Sequence, residues 1–494
     1  MRVSKKVIVI GAGVGGIYIA ARMAKYGYQV TVVEKNGQAG GRCNFFEKDG
    51  HSFDTGPTIL MMPEIFTRAF SDLGEKIEDH IELLRIKPTY HIHYQDGMEL
   101  TMTSDQKMMK EQLEVIEPGS YESLQRYIEN GKLFYDLAML NFIDRDFSNL
   151  SAYFNLENLY LAYKLKLLTN HYDYVGSFFS DHRLKEAFTF RDAYLGLNPY
   201  EAPAMFSMLQ YLEMVTGVWL PKGGMYSVVK GITKLAEKFG SEFIYSNPVT
   251  RINVVKDKVT GITTLNGDRL DADIVVANAD LTYVYQNLLS DDEIAKDLLR
   301  KKYTCSAITF HWGIDKQITK LGTHNLFVSG DYRQSFKQVM EDFSLPDDPS
   351  FYVHAPARVD PDRAPNGQDT ITVIVPVGHI NDTTPQNWKD IQHRAREFVI
   401  ERLKAIGIND IEEHIKFEVS HTAEDWVKLY NLTKGSTLGL YHNLMQVGYF
   451  RPKNRHKRYR NLYFVGASTH PGSGVPTVLI SAKLTSERII REIV

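Results

Sequence analysis

A chain of 494 residues, 43% hydrophobic and 24% charged, is long enough for more than one core and has the balance of an ordinary globular protein. A formal net charge of -3 lacks the basic excess of a nucleic-acid partner, and the two cysteines, Cys43 and Cys305, exclude a disulfide framework and a thiolate metal cluster. So few cysteines suit a reducing compartment, and the expected location is cytoplasmic.

The opening "MRVSKK" followed by "VIVIGAGVGGIYIAA" imitates a signal peptide. The better reading is a strand, a glycine turn and a helix. Val7 to Ile10 is continuously apolar, as in a parallel strand covered on both faces. Ile17, Ala20, Ala21 and Ala24 then recur at helical spacing, and Tyr28 to Val33 supplies a second strand. His91 and His93 alternate along a later strand and are expected to face solvent. Asp144, Arg145 and Asp146 read as a solvated turn.

From about residue 100 to 215 the pattern turns helical and aromatic. "LENLYLAYKLKLL" (156–168) reads as an amphipathic helix, core-facing in the ordinary case or lying on a membrane surface. Pro203 to Pro221 is the most apolar stretch, interrupted by Glu213, and reads as one buried helix. No run of 18 uncharged apolar residues occurs, so membrane contact, if any, is expected to be peripheral.

"VTRINVVKDKVTGITTLNGDRLDADIVVANAD" reads as three strands, with tight turns at Lys256-Asp257 and Asn266-Gly267. Leu462 to Val465 is the last strand, and a helix follows Pro476. Before that strand Arg451, Lys453, Arg455, Lys457, Arg458 and Arg460 form the one dense basic run, either an exposed loop or a docking patch for anionic lipid.

Gly11, Gly13 and Gly16 form G-x-G-x-x-G between a strand and a helix. The first permits a tight turn, the second lets backbone approach a pyrophosphate, and the third allows close packing of the helix. Unpaired amides at the helix start suit phosphate. Glu34 ends the second strand 21 residues after Gly13, where a carboxylate can accept from ribose hydroxyls. This unit predicts a dinucleotide and does not separate FAD from NAD.

"EKNGQAGGRC" and "FDTGPT" extend the unit, and here the chain resembles the amine-oxidase and carotenoid-desaturase flavoproteins, in which a GG-R segment follows the acid. "FTFRDAYLGLNPYEAPAMFSMLQYLEMVTGVWLPKGGM", "GSTLGLYHNLMQVGYFRPKNR" and "NLYFVGASTHPGSGVPTVLISA" narrow the resemblance to bacterial-type phytoene desaturases and their relatives. Ser468 and Ser473 replace small residues of the last motif, a mild departure.

The resemblance implies an α/β architecture. A discontinuous Rossmann-like FAD domain (1–95, 218–300, 455–494) interleaves with a mixed-sheet substrate domain (301–454) and a helical, membrane-facing region (96–217). It implies non-covalent FAD, since no cysteine stands near the C-terminal motif. It assigns Glu34 to the ribose, Ala12 and Gly13 to Gly16 (including Gly15) to pyrophosphate, and Val249 to adenine. Asn278 is placed close to the cofactor; Arg42, Thr58, Ile59, Leu438, Gly466, Val475 and Pro476 are placed about the flavin. Gly472 and Gly474 would let the start of the last helix approach the ring, where its positive end favours negative charge on the reduced flavin.

The implied reaction is desaturation of a carotenoid, one hydrogen leaving as hydride to flavin and one as a proton. The substrate is phytoene, or a hydroxylated carotenoid that gains a 3,4-double bond. The implied partners are a lipophilic carotenoid, a membrane surface, and quinone or oxygen as electron acceptor. Glu213 is the one candidate proton acceptor, with a structural hydrogen bond as its alternative role. No metal site is expected, because the histidines lack ligand spacing. Other readings are a carotenoid isomerase, an amine oxidase with an aromatic cage and a lysine, and a non-catalytic escort of prenylated partners.

Overall fold

The computed structural model describes residues 4–145 and 156–493. Five parallel strands form the first sheet, in the order Leu462–Phe464, Ile274–Ala277, Lys6–Ile10, Gln29–Val33, Glu242–Ile244. Lys6–Ile10 lies at its centre, which explains its unbroken apolar run: each face meets a different core. Helices Val14–Lys25, Tyr226–Lys238 and Val475–Ile493 cover one face.

On the other face lies an antiparallel sheet of Val249–Val255, Lys258–Thr264 and Arg269–Asp271. Four strands thus replace the three expected after Pro248. The chain leaves the antiparallel sheet at Asp271 and enters the parallel one at Ile274, a change of partner that periodicity does not mark.

The second sheet has seven strands, in the order Ile415–His421, Ser306–Ile314, Asp369–Val377, Phe351–His354, His324–Phe327, Tyr90–His93, Glu99–Met102. All neighbours are antiparallel except His324–Phe327 with Tyr90–His93. The hairpin 90–102 therefore belongs with the sheet of residues 306–421, and the chain passes between sheets before residue 95. Helix Trp388–Ala405 packs on one face of this sheet. The helical region from Gln106 to Tyr211 shares a core with part of the other.

Two expectations about that region fail. Residues 203–221 do not form one helix: a 3-10 turn (Ala204–Ser207), an α turn (Met208–Tyr211), a π turn (Leu212–Thr216) and a short strand (Trp219–Pro221) follow one another. Gly217, at φ +89°, ends the helical path, and Trp219 and Leu60 then exchange backbone hydrogen bonds at 2.8 and 3.0 Å. Helix Leu156–Lys164 is not core-facing: Leu156, Leu159, Tyr160 and Tyr163 are exposed, whereas Asn158 and Leu161 are buried.

Candidate functional site

The glycine turn is built around one side chain, Asn278, at the end of strand Ile274–Ala277. Its Nδ2 donates to the Gly11 carbonyl at 3.2 Å. A Cβ on Gly13, Gly15 or Gly466 would stand 2.9, 2.7 or 2.9 Å from its amide atoms. Gly16 has a different constraint, since a Cβ there would lie 2.0 Å from the Gly11 carbonyl oxygen. The third glycine therefore closes the turn on itself. Gly13, the helix N-cap, carries no side chain to cap the first-turn amides.

Glu34 is 5% exposed. Its Oε2 accepts from the Ala12 amide at 2.7 Å and its Oε1 from Asn36 at 2.9 Å. Burial pushes this carboxyl upward while those amides oppose the shift. The Ala12 amide is thus committed to Glu34 rather than free for phosphate, a correction to the pyrophosphate assignment. Ala12 and Gly16 also lie behind the cavity surface, whereas Gly11, Gly13 and Gly15 line it.

The cavity holds about 720 Å³ and runs from Glu34 and Val249 past the glycine turn to Thr58, Ile59, Leu438, Val475 and Pro476. Arg42, Asn278, Gly466 and Gly474 also line it, so these sequence-predicted residues meet in one place. Arg42 donates to the Thr437 carbonyl at 2.8 Å. Burial lowers its pKa, and the nearby Asp280 carboxylate opposes that fall. Asp280 is a further residue of this wall that no motif marks. It caps the helical turn at Leu281, accepts from Thr433 Oγ1 at 2.5 Å, and lines the cavity near Arg42. An Asp opening a helix two residues after Asn278 was its only signal.

Beyond the turn the cavity continues between the helical region and the seven-stranded sheet, lined by Tyr194, Leu209, Leu326, Tyr332, Tyr352 and Ile374 among others. Among the described lining residues the carboxylate, lysine and arginine side chains are Glu34, Lys35, Arg42, Arg191 and Asp280. Only Arg191 belongs to this second half, and its charge is cancelled. Glu213 accepts from its Nε and Nη2, with both residues 1% exposed. Burial raises the Glu213 pKa and Arg191 opposes the rise. Glu213 does not reach the cavity surface, so its place is the structural one. Twenty-two residues separate the pair, and no spacing rule announces it.

Three other readings change. His93 is 5% exposed and stacks on Phe327 with ring centroids 4.7 Å apart, because the strand face it shares is covered. Asp144 bridges Arg68 at 2.7 Å and Lys483 at 3.1 Å, tying the helical region to the last helix. Asp146 lies outside the described residues. Arg451 is 1% exposed and donates to the carbonyls of Leu440, Tyr441, Gln446 and Ala467. It braces the loop before the last strand instead of joining a surface patch. Arg455 pairs with Glu492 and Arg458 with Asp257.

The residues fit a dinucleotide flavin. The uncapped helix start, the buried acid at the strand end and Arg42 share one wall, and the cavity extends past them to the start of helix Val475–Ile493. Among the described residues no cluster suits a metal ion, and no helix is long and apolar enough to cross a membrane.

Residues 14–490 match the family model for flavin-containing amine oxidoreductases. The phytoene desaturase of Phycomyces blakesleeanus is 40% identical over 98% of this chain and 85% of its own. The zeta-carotene-forming phytoene desaturase of Myxococcus xanthus is 40% identical over 98% of this chain and 94% of its own. An oxidoreductase from Methanosarcina mazei shares the fold, with a TM-score of 0.66 at 16% identity over 98% of this chain and 100% of that one.

Proposed function

The chain belongs to the flavin-containing amine oxidoreductases, and we propose that it is the FAD-dependent desaturase of a long acyclic carotenoid, with phytoene its first substrate. FAD supplies the hydride acceptor when bound. The chain's own residues bind, orient and exclude water. Glu34 takes the ribose. The amides after Gly13, with Gly15, take the pyrophosphate, Val249 meets adenine, and Arg42 lies toward the flavin. Thr58, Ile59, Leu438, Gly466, Val475 and Pro476 bound the flavin, with Gly474 at the mouth of the last helix. Cys305 touches the same cavity, but burial pushes its thiol up to about 12 and keeps it protonated, which suits non-covalent FAD.

One observation carries this reading. The cofactor cradle opens without a break into an apolar cavity where, among the described residues, the single charged side chain is internally neutralised. A polyene asks for such a wall, and an ammonium substrate does not. An amine oxidase is disfavoured for a second reason: the one lysine among the described lining residues, Lys35, lies beside Glu34 at the far end.

Uptake of such a substrate calls for a lipid surface. Leu140, Leu156, Leu159, Tyr160, Tyr163 and Leu168 are all exposed on two neighbouring segments. The same segments supply Phe142, Ile143, Leu165 and Leu167 to the cavity wall, so the apolar surface and the cavity share a border. Peripheral attachment there, with Lys164 and Lys166 at the headgroups, would also bring a membrane quinone, or oxygen, to the reduced enzyme.

The test is incubation of flavin-loaded protein in liposomes with phytoene and, separately, a 1-hydroxy carotenoid, under oxygen or with quinone in its absence. Products with added conjugation from phytoene are expected. Conversion of the hydroxylated substrate alone would move the assignment to a later step, and conversion of neither would overturn it.

A further inference from the structure

Carotenoid desaturation releases a proton as well as a hydride, and the carboxylates near the reaction end of the cavity are already committed. Glu213 is held by Arg191 through both oxygens, and Asp54 by Arg363 at 3.0 Å. The sheet offers something else on the face that lines the cavity. Strands His324–Phe327 and Phe351–His354 pair so that His324 stands opposite His354 and Leu326 opposite Tyr352. Alternation then puts His324, Leu326, Tyr352 and His354 on one side. Leu326 and Tyr352 line the cavity, and the two imidazoles lie just behind them.

Tyr352 is joined on both sides. Its hydroxyl lies 2.9 Å from Thr58 Oγ1, in the loop assigned to the flavin end, and 2.5 Å from His324 Nδ1. His354 stacks on His324 with centroids 4.9 Å apart and planes 16° apart, which fixes the ring. The His354 Nδ1 lies 3.2 Å from the Thr323 carbonyl and carries the hydrogen donated there. It also lies 3.2 Å from His324 Nδ1. With the His324 proton on Nε2, Nδ1 accepts from Tyr352 and Tyr352 accepts from Thr58.

Building on the desaturase reading, we infer that Tyr352 takes the substrate's proton and relays its own to His324. As hydride leaves one carbon for the flavin, the neighbouring C–H bond breaks and its electron pair becomes the new double bond. The proton joins the Tyr352 oxygen while the tyrosine's hydrogen passes to His324 Nδ1, giving an imidazolium. Burial holds His324 at about 3, so it stands neutral before the step. A proton beside developing positive charge is acidic enough for so weak a base. Tyr352 is the catalytic residue and His324, reached through it, a positioning one.

The test uses flavin-loaded protein with phytoene in anaerobic liposomes, reading flavin reduction in a single turnover. Tyr352→Phe is expected to slow reduction at least 100-fold with flavin content unchanged. His324→Asn, which can accept the tyrosine's hydrogen bond but not its proton, should slow it at least 30-fold. An independent readout is the imidazole 15N spectrum of wild-type protein, its His324 signal assigned by its absence from His324→Asn. A non-protonated, hydrogen-bonded Nδ1 is expected. A protonated Nδ1, or either flavin-loaded variant reducing within twofold of wild type, would overturn the relay. Should Tyr352→Phe fail to retain flavin, His324→Asn and the wild-type spectrum decide the matter. A wild type that converts neither phytoene nor the 1-hydroxy carotenoid would defeat the desaturase reading itself.

Discussion

Glu34 and Glu213 mark the two ends of one cavity, and each is a carboxylate 5% exposed or less. Glu34 is held by two backbone amides and lines the cavity, so lone pairs remain for a ligand's hydroxyls. Glu213 is held by a guanidinium through both oxygens and stays behind the wall. The same group thus serves opposite ends. Where the ligand is polar, the protein leaves valence unspent; where it is a hydrocarbon, charge is matched before the ligand arrives.

Large effects are expected from this contrast at both ends, and the first is at the polar one. Gly16→Val forces a side chain against the Gly11 carbonyl, where even a Cβ would stand at 2.0 Å. The turn cannot close, and a loss of about 3 kcal/mol, roughly 100-fold in FAD affinity, should follow. Flavin absorbance per mole of purified protein measures it, and wild-type flavin content in Gly16→Val would sink the account of the turn. At the other end, Arg191→Met leaves Glu213 buried without its cation. That should cost about 3–5 kcal/mol in denaturant unfolding, with Arg191→Met/Glu213→Leu recovering most of it. Failure of the double variant to recover would mean that the pair does more than cancel itself.

The two ends also differ in how far they can be read from sequence. The cofactor end rests on local rules: a strand, a turn and a helix start fall within 29 consecutive residues, from Lys6 to Glu34, and each leaves a mark. Even there two features carry no mark in the sequence. The commitment of Ala12 to Glu34 and the fit of Gly16 against Gly11 depend on where backbone atoms finally lie. The substrate end rests on pairing between distant segments. Tyr352 meets Thr58 across 294 residues and Arg191 meets Glu213 across 22, and neither contact has a period or a motif. Arg451 misled for a related reason, since a basic run on paper contains one guanidinium folded inward onto four carbonyls.

A third buried carboxylate sharpens the contrast. Glu186, in helix His182–Thr189, is 6% exposed, and burial raises its pKa from 4.5 to about 8. Between those values the folded state keeps a proton that the unfolded chain has released, so stability falls as pH rises through the window. Glu186→Gln removes that dependence. It should match wild type below pH 4.5 and be more stable than wild type above pH 8. Thermal unfolding at both pH values measures it, and an equal difference at the two would show that Glu186 ionises freely in the fold.

The smallest effect lies on the outer surfaces of the two ends. Leu159 and Tyr163, 68% and 71% exposed, stand on the helix that borders the substrate cavity; Val255, 60% exposed, stands on a hairpin over the cofactor sheet. A lone exposed valine needs no partner, whereas a clustered apolar face implies one. Leu159→Glu should therefore weaken binding to phospholipid vesicles by about 1 kcal/mol, roughly fivefold, with flavin content unchanged. Val255→Glu should leave vesicle binding as it was. Equal losses from the two would mean that the protein meets lipid without orientation, and the shared border between the apolar helix and the cavity would then have no part in bringing substrate to the flavin.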